Sequence, residues 1–177
     1  KKFIYASSGG IYSAESDKAF NESSPIATTD KLGYYLGSKL CGEVLVRNYS
    51  TIFYVTTLRF FFMYGPEQNK TMLIPRLIER VNNSEKIILK GHNGIKINPI
   101  YVDDAVDALK NITVLKNSEK INVGGKEVFS LKEICEIIGD ELNVVPVFET
   151  NNSETLNLIG DIKKMNSILM KPKIDFR

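Results

Sequence analysis

Phe3-Ile4-Tyr5-Ala6-Ser7-Ser8-Gly9-Gly10-Ile11-Tyr12 is the stretch that decides the fold. It opens with aromatic and β-branched residues, the types that fit a pleated strand. The run is short and continuously apolar and closes in small residues. That pattern predicts a strand buried on both faces, as in a parallel sheet. Ser8 to Asp30 follows, rich in Ser, Gly, Thr and Asp with Pro25, and reads as a long surface loop. Loops of this length inside a compact domain are often functional. Tyr34 to Tyr49 then reads as a helix, with Leu36, Leu40, Val44 and Leu45 at helical spacing and Asp30 or Thr29 as its cap. Phe53 to Phe62 is a second strand, closed by the turn Tyr64-Gly65-Pro66.

The alternation continues outward. A helix is predicted over Met72 to Val81 and a strand over Lys86 to Lys90, ended by Gly91-His92-Asn93-Gly94. Ile95 to Val102 is extended and interrupted by Pro99. Asp103 is placed at the N-cap of a helix reaching about Leu115. Lys120 to Val123 is a strand, Ser130 caps a further helix, Val144 to Phe148 is a last strand and Asp161 to Met170 a last helix. Strands alternating with helices argue for an α/β fold with parallel pairing. The chain starts inside its first strand, without Met, cap or turn, so it is expected to be a fragment whose earlier part lies elsewhere.

Composition narrows the function. Of 177 residues, 43% are hydrophobic and 25% charged, with a net charge of +2. These values suit a globular protein and give no argument for nucleic acid or an acidic membrane surface. No run approaches the ~20 apolar residues of a membrane span. Cys41 and Cys135 have no metal spacing around them, and His92 is the single histidine; two buried thiols in a reducing cytoplasm are expected, and no metal.

Tyr35 and Lys39 stand one helical turn apart, which stacks their side chains on one face. A phenol is a weak base near neutrality, and an ammonium beside it favours the phenolate. Such a pair can take a proton from a hydroxyl while hydride leaves the same carbon. The spacing also occurs in ordinary solvated helices, so context has to decide. Ser8 lies at the end of the first strand, where α/β sheets place ligand groups, and its hydroxyl can orient the reacting oxygen.

With these residues in place, the chain resembles the NAD-dependent epimerase/dehydratase family of extended short-chain dehydrogenase/reductases, the family that includes UDP-galactose 4-epimerase. The opening strand with Ser8 is similar to the family's serine-bearing strand. Tyr35-Leu36-Gly37-Ser38-Lys39-Leu40-Cys41-Gly42-Glu43, Leu58-Arg59-Phe60-Phe61-Phe62-Met63-Tyr64-Gly65-Pro66, Tyr101-Val102-Asp103-Asp104 and Asn122-Val123-Gly124-Gly125 resemble its further motifs, in the family's order. The resemblance implies the C-terminal portion of a Rossmann-type parallel sheet with a smaller α/β substrate-binding domain. Residues 1–66 would be the catalytic part, and 67–177 mostly substrate-binding, with 95–123 returning to the Rossmann part. It implies Tyr35 as general acid/base, Lys39 as its partner and a ribose ligand, Ser8 as orienting hydroxyl, and Phe61 against the nicotinamide end of NAD, or of NADP. It also implies dimerisation through the Tyr35 helix.

Departures from the pattern concern ligands. The glycine-rich phosphate loop of the family is absent from these residues, so the isolated chain is expected to bind dinucleotide poorly and to be inactive. Phe62 and Met72 stand where sugar-nucleotide members usually carry Asn, and Ile97 about where they carry Arg, with Arg76 or Lys96 as substitutes for the diphosphate. Phe62, Met72 and Arg76 are therefore the substrate-binding candidates. Gly9 and Gly10 stand where 4,6-dehydratases carry an acidic pair, which disfavours water elimination. The expectation is an NAD(P)-dependent epimerase-type enzyme acting on a nucleotide sugar. The rivals are a reductase of a non-sugar alcohol or ketone and a non-catalytic nucleotide-sensing member of the fold.

Overall fold

In the computed structural model, which describes residues 1–13, 18–153 and 155–176, the opening run forms strand β1 (Lys2–Ser8). Helix α1 (Thr29–Arg47) crosses to β2 (Tyr54–Phe60), and β7 (Glu119–Val123) completes a three-stranded parallel sheet in the order β1-β2-β7. The register sets Ala6 opposite Leu58, Ser8 opposite Phe60, and Phe60 opposite Val123. Among the described residues β1 lies at the edge of this sheet. Phe3 is therefore 44% and Ile4 38% exposed, where the sequence predicts burial on both faces.

Side chains alternate across a strand, and β2 shows what each face meets. Leu58 and Phe60 join Ile121, Val123, Ala105, Ala108, Ile112 and Met165 in one core. This core packs the sheet against α3 (Val102–Asn111) and α5 (Lys163–Ile168). Each fully buried Leu or Ile contributes about 1.5–3 kcal/mol of transfer free energy. Arg59 points the other way, to Glu43 of α1.

A second layer holds β3 (Met63–Tyr64) beside β6 (Ile100–Tyr101), β4 (Ile87–Lys90) beside β9 (Phe148–Asn151), and β5 (Lys96–Ile97) against β8 (Phe129–Ser130). Helices α2 (Leu73–Asn82) and α4 (Leu131–Leu142) bury Ile74, Leu77, Val81, Ile134, Cys135 and Ile138 in the core of this layer. Ser130 and Glu133 form the capping box that starts α4, as Ser130 predicts.

Several local expectations give way to tertiary structure. Thr28, not Thr29 or Asp30, stands at the N-cap of α1, and Gly33 (φ 63) breaks the first turn from the helix that resumes at Tyr34. Glycine reaches this left-handed conformation without a Cβ clash. Tyr101 is the N-cap of α3, leaving Asp103 and Asp104 in the first turn; Asp104 is 2% exposed and accepts from the backbone N–H groups of Lys173 and Ile174. The last strand starts at Phe148 rather than Val144, because Pro146 offers no N–H to a ladder. Val44 and Leu45 are exposed on α1, and the helix instead buries Leu32 and Glu43. Cys135 is buried, but Cys41 is exposed.

Candidate active site

β1 ends at Ser8, which caps a short 3-10 turn over Gly9–Ile11: its Oγ accepts from Gly10 N at 3.2 Å, leaving the hydroxyl proton free to be donated. Phe61 explains the glycine beside it. Its ring is 1% exposed and stacks on Tyr12 at 6.1 Å, and a Cβ on Gly9 would overlap it. A carboxylate side chain therefore has no room at position 9.

After the break at Gly33, Tyr34 points outward at 95% exposure, while Tyr35 turns to a cavity of about 440 Å3. Ser8, Gly10, Tyr35, Lys39, Phe61, Phe62 and Met72 all line this cavity. The ammonium of Lys39 lies 5.7 Å from the Tyr35 ring centroid and 5.7 Å from that of Tyr5, and donates to the Ala6 carbonyl at 3.0 Å. Burial and then the Glu43 charge push the Tyr5 phenol above its ordinary range, and its hydroxyl donates to Lys39 O. Of the two phenols flanking the ammonium, Tyr5 is thus held protonated, and Tyr35 is the one that lines the cavity.

The helix carrying these groups is anchored one turn further on by residues the sequence reading does not single out. Glu43 takes a fork from Arg59, Nε to Oε1 at 2.9 Å and Nη2 to Oε2 at 2.6 Å, and a bond from Ser7 Oγ at 2.6 Å. Burial works to raise the Glu43 carboxyl, but hydrogen bonds from Arg59 and Ser7 outweigh it and hold the group below its usual range. Arg59 also lies over the Tyr12 ring at 4.7 Å, and Tyr12 donates to Asn122 Oδ1. One network thus joins α1, β1, β2, β7 and the loop after Ser8. A signal was available: an arginine inside a strand predicted to be buried requires a carboxylate partner.

The other candidates divide. Phe62 and Met72 face the cavity; Arg76 is exposed on α2 and is not among the lining residues; Ile97 is fully buried in the second-layer core. A larger cavity of about 540 Å3, lined by Glu43, Arg47, Arg59 and Lys120, has no tyrosine in its lining. Among the described residues no His, Cys, Asp and Glu cluster could hold a metal, and no helix is long and apolar enough to cross a membrane.

Comparison with known proteins gives consistent matches. The model of the NAD dependent epimerase/dehydratase family matches residues 1–124. dTDP-D-glucose 4,6-dehydratase of Homo sapiens is 30% identical over 160 residues, covering 88% of this chain and 43% of the relative. Protein CapI of Staphylococcus aureus is 31% identical over 114 residues, covering 63% of this chain and 34% of that protein. The chain thus spans less than half the length of these relatives. Among solved structures, UDP-glucuronic acid 4-epimerase from Bacillus cereus, in complex with UDP-glucuronic acid and NAD, superposes with a TM-score of 0.84 at 26% identity, over 99% of this chain and 57% of that one.

Proposed function

The chain belongs to the NAD-dependent epimerase/dehydratase family, and from that premise we propose that the whole protein is an NAD-dependent epimerase-type enzyme that inverts a carbon of a nucleotide sugar through a keto intermediate. The observation carrying this reading is that Ser8, Tyr35 and Lys39 line one cavity. NAD supplies a hydride acceptor and donor when bound. The donor set suits its nicotinamide-ribose end: Lys39 spends one N–H on Ala6 O and keeps two for ribose hydroxyls, with Phe61 beside them.

The residues then have distinct tasks. Ser8 donates to the sugar hydroxyl and holds it toward Tyr35. Tyr35 removes that hydroxyl's proton as the C–H bond breaks, and returns it when the keto sugar is reduced on its other face. Lys39 stabilises the phenolate while the proton is away. Elimination of water would need further acid and base groups. Among the described residues no carboxylate lines the cavity, and Phe61 fills the space beside Gly9; both support epimerisation over dehydration.

The apolar wall of Phe62 and Met72 favours a second reading, reduction of a non-sugar ketone. Assaying the whole protein with NAD against nucleotide sugars and simple ketones separates the two. In the same assay Tyr35→Phe is expected to cut turnover by about 10²–10⁴-fold and leave sugar binding intact. Unchanged turnover in that variant would sink the acid/base assignment.

A further inference from the structure

The cavity's second wall is built by the loop leaving β2, and that loop is strained at both ends. Phe62 has φ 45 and Glu67 φ 61, left-handed conformations that a side chain with a Cβ disfavours. Backbone held in such regions collects at ligand sites, where the surroundings enforce it. Here the two outliers bracket the segment that delivers Gln68 into the cavity.

Gln68 carries an unused group. Its Nε2 donates to Met63 O at 2.8 Å, closing the loop on itself. This bond fixes the amide: turned over, it would set oxygen against oxygen. Oε1 is consequently presented as an acceptor, and it is buried with no hydrogen-bond partner among the described residues. Buried acceptors are nearly always satisfied, so an orphan in a cavity wall points to a ligand donor. Around it the wall offers Phe62, Met63, Met72, Leu73 and Leu158. None of these side chains presents a strong hydrogen-bonding group, so recognition along this wall reduces to one fixed acceptor in an apolar surface.

We infer that Gln68 is a substrate-binding residue whose Oε1 accepts a hydrogen bond from a hydroxyl or an acylamino N–H of the sugar, in the cavity that Ser8 also lines. This rests on the proposal that the cavity takes a nucleotide sugar. A sugar with its donor at that position is selected, and an analogue lacking the donor leaves Oε1 buried and unpaired.

The test uses the whole protein with NAD and measures turnover and, by calorimetry, binding of UDP-glucose, its 2-, 3- and 6-deoxy analogues and UDP-N-acetylglucosamine. On the wild type, one missing donor should cost about ten-fold in KM, and on Gln68→Met the difference between that analogue and its parent should vanish. On the wild type, a KM raised only for one deoxy analogue identifies a hydroxyl; a KM lower for UDP-N-acetylglucosamine than for every other probe, an advantage lost in Gln68→Met, identifies the N–H. Gln68→Glu keeps an acceptor without the tie to Met63, and should keep the wild-type preference even if Gln68→Met fails to fold. Equal KM for every probe on the wild type, or the same loss for all probes in Gln68→Met, would overturn the inference while leaving the epimerase reading standing. If no probe binds or turns over, both fall together.

Discussion

Helix α1 takes part in two polar pairs one turn apart, one within the helix and one with Arg59 of β2, and their fates are opposite. Tyr35 and Lys39 face an open cavity, Tyr35 at 59% exposure, with the ammonium 5.7 Å from the ring. Glu43 and Arg59 have side chains 8% and 2% exposed and form a fork at 2.6 and 2.9 Å. The open pair is accessible to a ligand in the cavity. The sealed pair is locked by bonds that exchange nothing, and it fixes where the open pair stands. Residues 41, 42 and 43 lie between the open pair and the rest of the helix, and substituting each probes the contrast at a different strength.

Glu43→Ala should have the largest effect. It leaves Arg59 charged, buried and without its carboxylate, a change that costs about 3–5 kcal/mol. Urea unfolding followed by circular dichroism would read it, and a cost within about 0.5 kcal/mol of zero would show that the pair is not sealed. Acid gives the sign independently. The folded carboxyl sits below its usual range, so its contribution is present above the unfolded carboxylate range. It is lost as pH falls below about 4 toward the folded value. In Glu43→Gln the slope of stability against pH in that window should flatten.

How much of this was legible in the sequence follows from the same contrast. Tyr35 and Lys39 lie within one segment, so helical spacing alone puts them on one face. Glu43 and Arg59 meet only when α1 packs on β2, and neither periodicity contains that contact. The spacing of Leu36, Leu40, Val44 and Leu45 identifies a helix but not which stripe faces the sheet. The stripe that does so carries Glu43, because Arg59 and Ser7 satisfy it there. Gln68 has no pattern of its own; only backbone conformation and an unpaired oxygen reveal it. Parallel pairing follows from the alternation of strands and helices, but the order β1-β2-β7 and the exposed edge of β1 are properties of pairing partners that spacing does not encode.

Gly42→Ala tests how closely α1 approaches β1. A Cβ at this position would overlap the Tyr5 hydroxyl, which itself donates to Lys39 O. Overpacking of this kind costs about 1–3 kcal/mol, against up to ~1 kcal/mol regained from helix propensity. Either the Tyr5 ring swings aside, breaking its bond to Lys39 O, or the helix moves off β1, and either shift disturbs the placement of Lys39 against Ala6 O. Activity should therefore fall by more than the lost stability accounts for, and Gly42→Ala with Tyr5→Phe should recover part of both. A variant as stable and active as the wild type would mean that the close approach has no bearing on Lys39.

The smallest effect belongs to Cys41, which is exposed although its neighbours are not. Cys41→Ser should change stability by less than about 0.5 kcal/mol, as surface substitutions do. A thiol reagent should modify Cys41 in the folded protein at once. Cys135, whose thiol burial pushes up to about 12, should react only on unfolding. Two fast thiols would place α4 outside its core, and none would mean that the outer face of α1 is covered. Cys41, Val44 and Leu45 share that outer face by helical spacing, and all three are exposed in this chain. Labelling that slows as protein concentration rises, with Cys135 silent throughout, would therefore identify a second copy seated on α1; labelling independent of concentration would leave that face to solvent.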